Sequence, residues 1–168
     1  KYSMNKEFLN EKLKPYLYEV CLFLDSVLVK KDDLKKKLPL SSTPEYNDNS
    51  IKAWFSEFTN YDLALILFVF NQRMELLKDK NKLTPAAYAR SWTSLPWLSI
   101  NKTGITIALD QDLEHSHRHQ NHLHAIHPLG ILNVEDSIDK IVIENSLRQI
   151  ERLGTRQWVG YSFAWIAS

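Results

Sequence analysis

The sequence predicts a mainly α-helical α+β protein, with a helical region over residues 1–104 followed by a smaller mixed unit over residues 105–168. Apolar side chains recur at three-to-four spacing through much of the first 80 residues, which is typical of amphipathic helices. A short β-branched run, "DKIVIEN", lies in the second half. With 168 residues and a hydrophobic fraction of 44%, the chain has enough apolar side chains for a core.

The first half contains three predicted helical stretches. Residues 4–31 form the first, with a kink or break near Lys14 because Pro15 lies inside the apolar pattern. The stretch "LPLSSTPEYNDNS", residues 38–50, is rich in Pro, Ser and Asn and predicts a loop. A second helical stretch covers residues 51–79 and can restart near Asn60, and a third begins at Thr84.

The second half mixes strand and helix signals. In residues 105–112, "ITIALDQD", the alternation of apolar and polar residues is weak, so the stretch is compatible with a strand or a helix. "DKIVIEN" predicts a short strand, and "SLRQIERLG" predicts a helix that ends at Gly154. In the competing interpretation, residues 136–153 form one continuous helix.

Composition excludes several classes of protein. The net charge of +1 gives no overall attraction to nucleic acid, and Cys21, the one cysteine, excludes a disulfide framework. The longest apolar run, Leu63 to Phe70, is too short to cross a bilayer, and no signal peptide is recognisable. We therefore predict a cytoplasmic protein without a membrane partner. Because the chain starts at Lys1, it is expected to be a piece of a longer polypeptide.

All six histidines lie between His115 and His127, within "EHSHRHQNHLHAIHPLG". Histidine is both the commonest metal ligand and the usual base near neutral pH, so this density indicates a site. The residue types in 122–128 alternate along the chain, and this alternation predicts a strand. His122 and His124 would lie on one face of that strand and Ala125 on the other. Pro128 would end that strand.

The stretch "HLHAIHPLGILNVEDSIDKIVIENSLRQIER", residues 122–152, resembles an HNH (ββα-metal) endonuclease domain. The likeness is greatest to the HNH domains of CRISPR effectors and of GmrSD-type restriction enzymes. The resemblance implies that residues 105–168 form a ββα-metal unit that binds one divalent metal ion (Mg, Mn, Ni or Zn). It also implies phosphodiester hydrolysis of DNA, in a prokaryotic defence or restriction system.

The resemblance also assigns residues to this chemistry. His124 and Asn145 would bind the metal, with His122 beside them. Ala125 occupies the position of the histidine that activates water, so the expected form is catalytically dead. Either the domain is a natural pseudo-nuclease or a histidine has been deliberately replaced by alanine, and the second explanation is favoured.

The implied partner is nucleic acid, with DNA favoured over RNA. Arg148, Arg152 and Arg118 would then contact the phosphate backbone beside the metal. Further domains of a longer chain are also expected partners.

Two other functions fit the same residues. Arg118 and His124, with five residues between them, match the loose pattern of a metal-independent HEPN ribonuclease. Alternatively, the segment is a metal-binding part of a non-enzymatic helical interaction domain. On a helix, His115 and His119 would face one way, as would His117 and Asn121.

Overall fold

A computed structural model describes residues 5–32, 35–78 and 93–168. The helix predicted from Thr84 onward lies outside the described residues. The helices are α1 (Lys6–Phe8), α2 (Lys14–Val27), α3 (Asn60–Lys78), α4 (Ser137–Leu153) and α5 (Gly160–Ile166). A π-helical stretch, Leu9–Leu13, joins α1 to α2, and 3₁₀ turns cover Tyr46–Asn49, Ile51–Ala53 and Asn121–Leu123.

The described strands form three antiparallel two-stranded sheets. β1 (Val29–Lys30) pairs with β2 (Lys36–Lys37), β3 (Ser41–Ser42) with β4 (Trp54–Phe55), and β5 (Ile100–Asn101) with β6 (Gly104–Ile105). Helices and small sheets together confirm the predicted α+β class at a coarse level. The predicted second helical stretch is shorter than expected, because residues 51–55 form a 3₁₀ turn and β4 before α3 begins at Asn60.

Pro15 modifies the first helical stretch without ending it. The backbone is helical on both sides of the proline, which provides no N–H for a helical hydrogen bond. The preceding residues, Leu9–Leu13, adopt the wider π-helical turn. The helix predicted over residues 4–31 is confirmed from Lys6 to Val27, with its irregularity just before the proline, whereas Val29–Lys30 form β1.

Helix α4 shows that the competing interpretation of residues 136–153 was right. Asp136 caps its start by accepting hydrogen bonds from the N–H groups of Ile138 and Asp139, and Gly154 follows its last residue with a positive φ of 73°. The strand predicted for "DKIVIEN" is wrong, because these residues belong to the amphipathic helix. Residues 105–168 consequently show no ββα unit.

Chain contacts divide the protein into two compact units. The first comprises residues 1–37 and 66–96, and the second comprises residues 38–65 and 97–168. The predicted boundary at residue 104 stays a prediction. In the first unit, Cys21 is fully buried and burial raises the pKa of its thiol, as expected for an inert packing residue.

The second unit has a core cluster of Tyr46, Ile107, Ala108 and Leu113. At the start of α3, the side chain of Asn60 is almost completely buried and joins two other segments. Its Nδ2 donates to the carbonyl oxygens of Ser99 (2.7 Å) and Thr106 (2.8 Å), and its Oδ1 accepts from the N–H of Ser99 (2.9 Å). These bonds connect the start of α3 to the residues on either side of the β5–β6 hairpin.

Among the described residues, no helix combines the length and the apolar character needed to cross a membrane. The predicted cytoplasmic location stays a prediction.

Candidate active site

The histidine-rich segment, residues 114–127, is built from irregular backbone and helical turns. Asn121–Leu123 form a 3₁₀ turn, and further turns follow through residue 129. The strand predicted for residues 122–128 is wrong. The side chains of Asn121, His122 and Leu123 are all buried in succession, a pattern that a two-sided strand exposed on one face does not produce.

A distant loop, residues 43–46, is bound to this segment. Asn121 Nδ2 donates to the carbonyl oxygen of Pro44 at 3.0 Å, and Nε2 of His117 lies 3.2 Å from the carbonyl oxygen of Glu45. The ring of Tyr46 meets that of His117 edge-on, with centroids 6.0 Å apart. The segment and the loop therefore form one structure, although they are more than 70 residues apart in the chain.

The carboxylate of Glu45 is the charged centre of this structure. Its Oε2 lies 2.6 Å from Nε2 of His119 and also forms an ion pair with the guanidinium of Arg118. The hydrogen bond from His119, followed by the contact with Arg118, lowers the pKa of Glu45 below its ordinary value. The carboxylate is therefore ionised at neutral pH, in a position open to solvent.

The backbone around Glu45 is strained. Glu45 has a φ of 59°, and Asn47 and Asp48 have φ values of 54° and 51°. A left-handed conformation costs a non-glycine residue on the order of 1–2 kcal/mol. Such strain is frequent where a fold holds a functional side chain in place, and here it presents Glu45 to Arg118 and His119.

Helix α5 supports the other side of His119. The hydroxyl of Tyr161 lies 3.0 Å from Nε2 of His119, and the two rings stack with centroids 5.2 Å apart. Ser162 Oγ donates to the carbonyl oxygen of Arg118 at 2.7 Å. We call Glu45, Arg118, His119 and Tyr161 the Glu45 cluster. It combines a carboxylate, a cation, an imidazole and a phenol at an exposed surface.

His122 lies beneath the surface, next to the same loop. It lines a small cavity together with Thr43, Pro44 and His119, among others. Burial, with smaller contributions from His117 and His124, lowers the pKa of His122 to about 3. The ring is therefore neutral at physiological pH, and its buried Nδ1 has no hydrogen-bond partner among the described residues.

The buried neutral state of His122 predicts acid instability. An unfolded histidine has a pKa of about 6.5, so between that value and about 3 only the unfolded chain gains this proton. Above pH 6.5 this group should not affect the free energy of unfolding. Below it, the free energy should fall by about 1.4 kcal/mol per pH unit.

Urea unfolding at a series of pH values measures this dependence. The His122→Asn variant should lose this part of the slope, because asparagine does not titrate. The exposed His115 provides the matched control, and His115→Asn should keep the wild-type slope. Equal slopes for the wild type and His122→Asn would contradict the assignment.

The residues that the sequence singled out lie in several different environments. His124 is half-buried and contacts the rings of Tyr61 and Trp165, whereas Asn145 lies on α4 and accepts a hydrogen bond from Arg148. Ala125 is fully buried, and its carbonyl oxygen accepts from the N–H groups of Ile131 and Leu132. The side chain of Ala125 thus fills the interior.

The arginines also differ in their contacts. Arg148 pairs with Glu144 and Arg152 donates to Gln149, both within α4, whereas Arg118 belongs to the Glu45 cluster. In the described parts of the chain, no three His, Cys, Asp or Glu side chains converge as metal ligands. The divalent metal stays a prediction. Residues 115–119 form no helix, so the helical pairing of His115 with His119 and of His117 with Asn121 is wrong.

Sequence reasoning missed Glu45 and Tyr161. Glu45 lies in a Pro-, Ser- and Asn-rich stretch that was interpreted only as a loop. An acidic residue directly after Pro44, in a loop that is long enough to carry function, was the available signal. Its contact with His119, 74 residues away, had no local signature.

Comparison with protein families decides between the candidate chemistries. Residues 1–168, the whole chain, match the model of the glycosyl hydrolase family 95 catalytic domain. The chain belongs to glycosyl hydrolase family 95. The sequence matches no curated protein.

Membership of family 95 corrects the functional predictions. The resemblance to an HNH endonuclease is wrong, and so are the DNA partner and the restriction or defence role. The HEPN ribonuclease and the non-enzymatic domain gain no support from the family either. Without a nucleic-acid partner, the predicted contacts of Arg148 and Arg152 with a phosphate backbone are not supported. A carbohydrate replaces nucleic acid as the expected partner of this glycosyl hydrolase domain.

Proposed function

We propose that this chain hydrolyses glycosidic bonds, with Glu45 as a catalytic carboxylate. The observation that carries the proposal is the Glu45 cluster: an exposed carboxylate, held on a strained backbone between Arg118 and His119, in a glycosyl hydrolase domain. Most glycosidases use carboxyl groups beside the scissile bond to transfer protons or to stabilise the positively charged sugar ring.

The contact between Glu45 and His119 positions the ionised carboxylate for proton transfer. Its Oε2 lies 2.6 Å from Nε2 of His119, and a carboxylate held in this way can take a proton from an attacking water or stabilise positive charge on the sugar ring. Arg118 holds the carboxylate in place while both side chains remain accessible to solvent. This arrangement suits a general base in glycoside hydrolysis.

Two further groups of the cluster can bind the sugar. Arg118 carries several N–H donors, and its side chain is 44% exposed, so donors remain for sugar hydroxyl groups. The exposed hydroxyl of Tyr161 both donates and accepts hydrogen bonds. A pyranose bound here would have its hydroxyls oriented by Arg118 and Tyr161 while its glycosidic oxygen faces Glu45.

The direct test is hydrolysis of a panel of p-nitrophenyl α- and β-glycosides of common pyranoses, together with natural oligosaccharides analysed by chromatography. We expect release of free sugar from at least one member. Parallel reactions with EDTA, or with added Mg or Mn, test whether a metal is required. If the folded protein cleaves no glycosidic bond in the panel, with or without added metal, the proposal is overturned.

A further inference from the structure

The loop that carries Glu45 is held at its start by residues at the beginning of α3. Asp62, in the first turn of α3, accepts through its Oδ2 from the hydroxyl of Ser41 at 2.7 Å and from the N–H of Ser42 at 3.3 Å. The N–H of Thr59 donates to Ser41 Oγ, and its Oγ1 donates to the carbonyl oxygen of Ser42, both at 2.9 Å. We call Asp62, Thr59, Ser41 and Ser42 the Asp62 anchor. It fixes both residues of β3 to α3.

The Asp62 anchor is largely buried, so its carboxylate is costly to keep ionised. Ser41 and Thr59 are almost completely buried. Burial raises the pKa of Asp62, although the hydrogen bonds from Ser41 and Ser42 oppose the rise. Among the described residues, Asp62 forms no ion pair. A buried charge without a counter-charge does not by itself stabilise a fold, so the contribution of Asp62 lies in the strand that it holds.

The conformation of Glu45 requires attachments on both sides of the loop. Its φ of 59° is unfavourable for a residue with a side chain, and such a conformation persists only where neighbouring contacts fix the backbone. On the far side, Tyr46 is buried in the core cluster, and its N–H donates to the carbonyl oxygen of Thr43 at 3.3 Å. On the near side, the Asp62 anchor binds Ser42, only three residues before Glu45. The backbone between these attachments has little freedom.

We propose that Asp62 is a positioning residue for Glu45: its carboxylate fixes β3, and β3 fixes the strained turn that presents Glu45 to Arg118 and His119. Asp62 acts through the backbone and not through contact with a substrate. This inference rests on the proposed function and adds to it a residue from another element of the fold, the first turn of α3.

The pKa of Glu45 reports whether this positioning is intact. The hydrogen bond from His119 and the contact with Arg118 lower that pKa, and Tyr161 of α5 lies behind His119. Asp62→Ala leaves both donors of β3 without their acceptor, so the strand and the turn should shift and Glu45 should withdraw from its partners. Its pKa should then rise toward the ordinary value. A general loss of stability would not have this effect, because the pKa depends on the local contacts of the carboxylate.

Carbon NMR of protein labelled with ¹³C-glutamate measures this pKa, and Glu45→Gln assigns the signal. Asp62→Ala should raise the pKa of Glu45, whereas Asp62→Asn, whose amide oxygen still accepts from β3, should leave it closer to the wild-type value. Circular dichroism checks that each variant is folded. A folded Asp62→Ala protein in which Glu45 keeps its wild-type pKa would overturn the proposal.

Asp139→Ala is the matched control for Asp62→Ala. Asp139 also lies in the first turn of a helix, and its Oδ2 accepts from a backbone N–H, that of Asn133, at 3.0 Å. It has no bond to the loop that carries Glu45, so its loss should leave the pKa of Glu45 unchanged.

A second variant decides the question if Asp62→Ala does not fold. Thr59→Val keeps the shape of the side chain but removes the hydroxyl that donates to the carbonyl oxygen of Ser42. It should also raise the pKa of Glu45. An unchanged pKa in the folded Thr59→Val protein would then contradict the positioning of Glu45 through β3.

Turnover gives a second measurement of the same effect. Glu45 must be ionised to act as a base, so a higher pKa should move the acid limb of the kcat/KM profile of Asp62→Ala to higher pH. Its kcat should fall by up to about 10²-fold, the effect of misplacing a reacting group by ~1 Å, while KM changes little. Asp139→Ala should keep the wild-type profile.

The two proposals fail differently. If the protein cleaves no glycoside but Asp62→Ala raises the pKa of Glu45, the catalytic role of Glu45 is contradicted and the positioning role of Asp62 is kept. If the protein cleaves glycosides and Asp62→Ala changes neither that pKa nor the acid limb, the positioning role is contradicted and the catalytic role is kept.

Discussion

Replacing Glu45 with glutamine should lower kcat for glycoside hydrolysis by about 10²- to 10⁴-fold, the range typical of losing an acid–base group. Glutamine keeps the size of the side chain and can still accept a hydrogen bond from Arg118 or His119 through its amide oxygen. It carries no negative charge and cannot take up a proton as a carboxylate does. The loss should therefore appear in kcat, measured with the best substrate from the glycoside panel.

Glu135→Gln is the matched control for this experiment. Glu135 is an exposed glutamate in the second unit, before α4 and outside the Glu45 cluster, so the same chemical change there should leave kcat unaffected. Thermal unfolding of both variants checks that the fold is intact. A folded Glu45→Gln protein with wild-type kcat would remove Glu45 from the mechanism.

The second large effect concerns stability and the packing of β6 against α4. Gly104 has a φ of 102°, and a Cβ at this position would lie 2.5 Å from the backbone nitrogen and 2.7 Å from the Cα of Ser146. Backbone atoms of a helix cannot move aside as a flexible side chain can. Strained φ and overpacking together predict that Gly104→Ala destabilises the protein by about 3 kcal/mol or more.

The contact between Gly104 and Ser146 also carries hydrogen bonds. Ser146 Oγ accepts from the N–H of Ile105 at 2.9 Å and donates to the carbonyl oxygen of Val142 at 2.8 Å. An added methyl group would separate these partners and leave buried polar groups unpaired. Urea unfolding followed by circular dichroism measures the loss.

Gly160→Ala is the matched control for Gly104→Ala. Gly160 is the first residue of α5, and a Cβ there would meet no atom of another described part of the chain within 4 Å. Alanine is also a better helix former than glycine, so this variant should be neutral or slightly stabilising. If the two alanine variants unfold at the same urea concentration, β6 does not pack closely on α4 at Gly104.

The sequence predicted the helices where a periodic apolar pattern was long and clearly bounded. The stretch over residues 136–153 had the pattern, an aspartate cap and a terminal glycine, and it forms α4. The pattern failed at residues 122–128, where His122 and Leu123 are both buried. Every second residue there was expected to share a face, but burial does not follow that period, because the neutral ring of His122 occupies the interior.

The candidate site was only half predictable. The concentration of histidines directed attention to residues 114–127, the segment that contributes Arg118 and His119 to the Glu45 cluster. The short resemblance around Ala125 pointed to the wrong chemistry, because a few residues before a proline carry little information. Glu45 could not be paired with His119 from the sequence, since their contact spans 74 residues.

That long span has a consequence for how the proposed site forms. A carboxylate from one part of the chain meets its imidazole partner only after a large loop has closed, which is entropically slow compared with forming local helices. Secondary structure can therefore be complete in molecules in which the Glu45 cluster has not yet formed. With Glu45 in its proposed catalytic role, recovered turnover rather than recovered helicity would report how many molecules have reached the native state after renaturation.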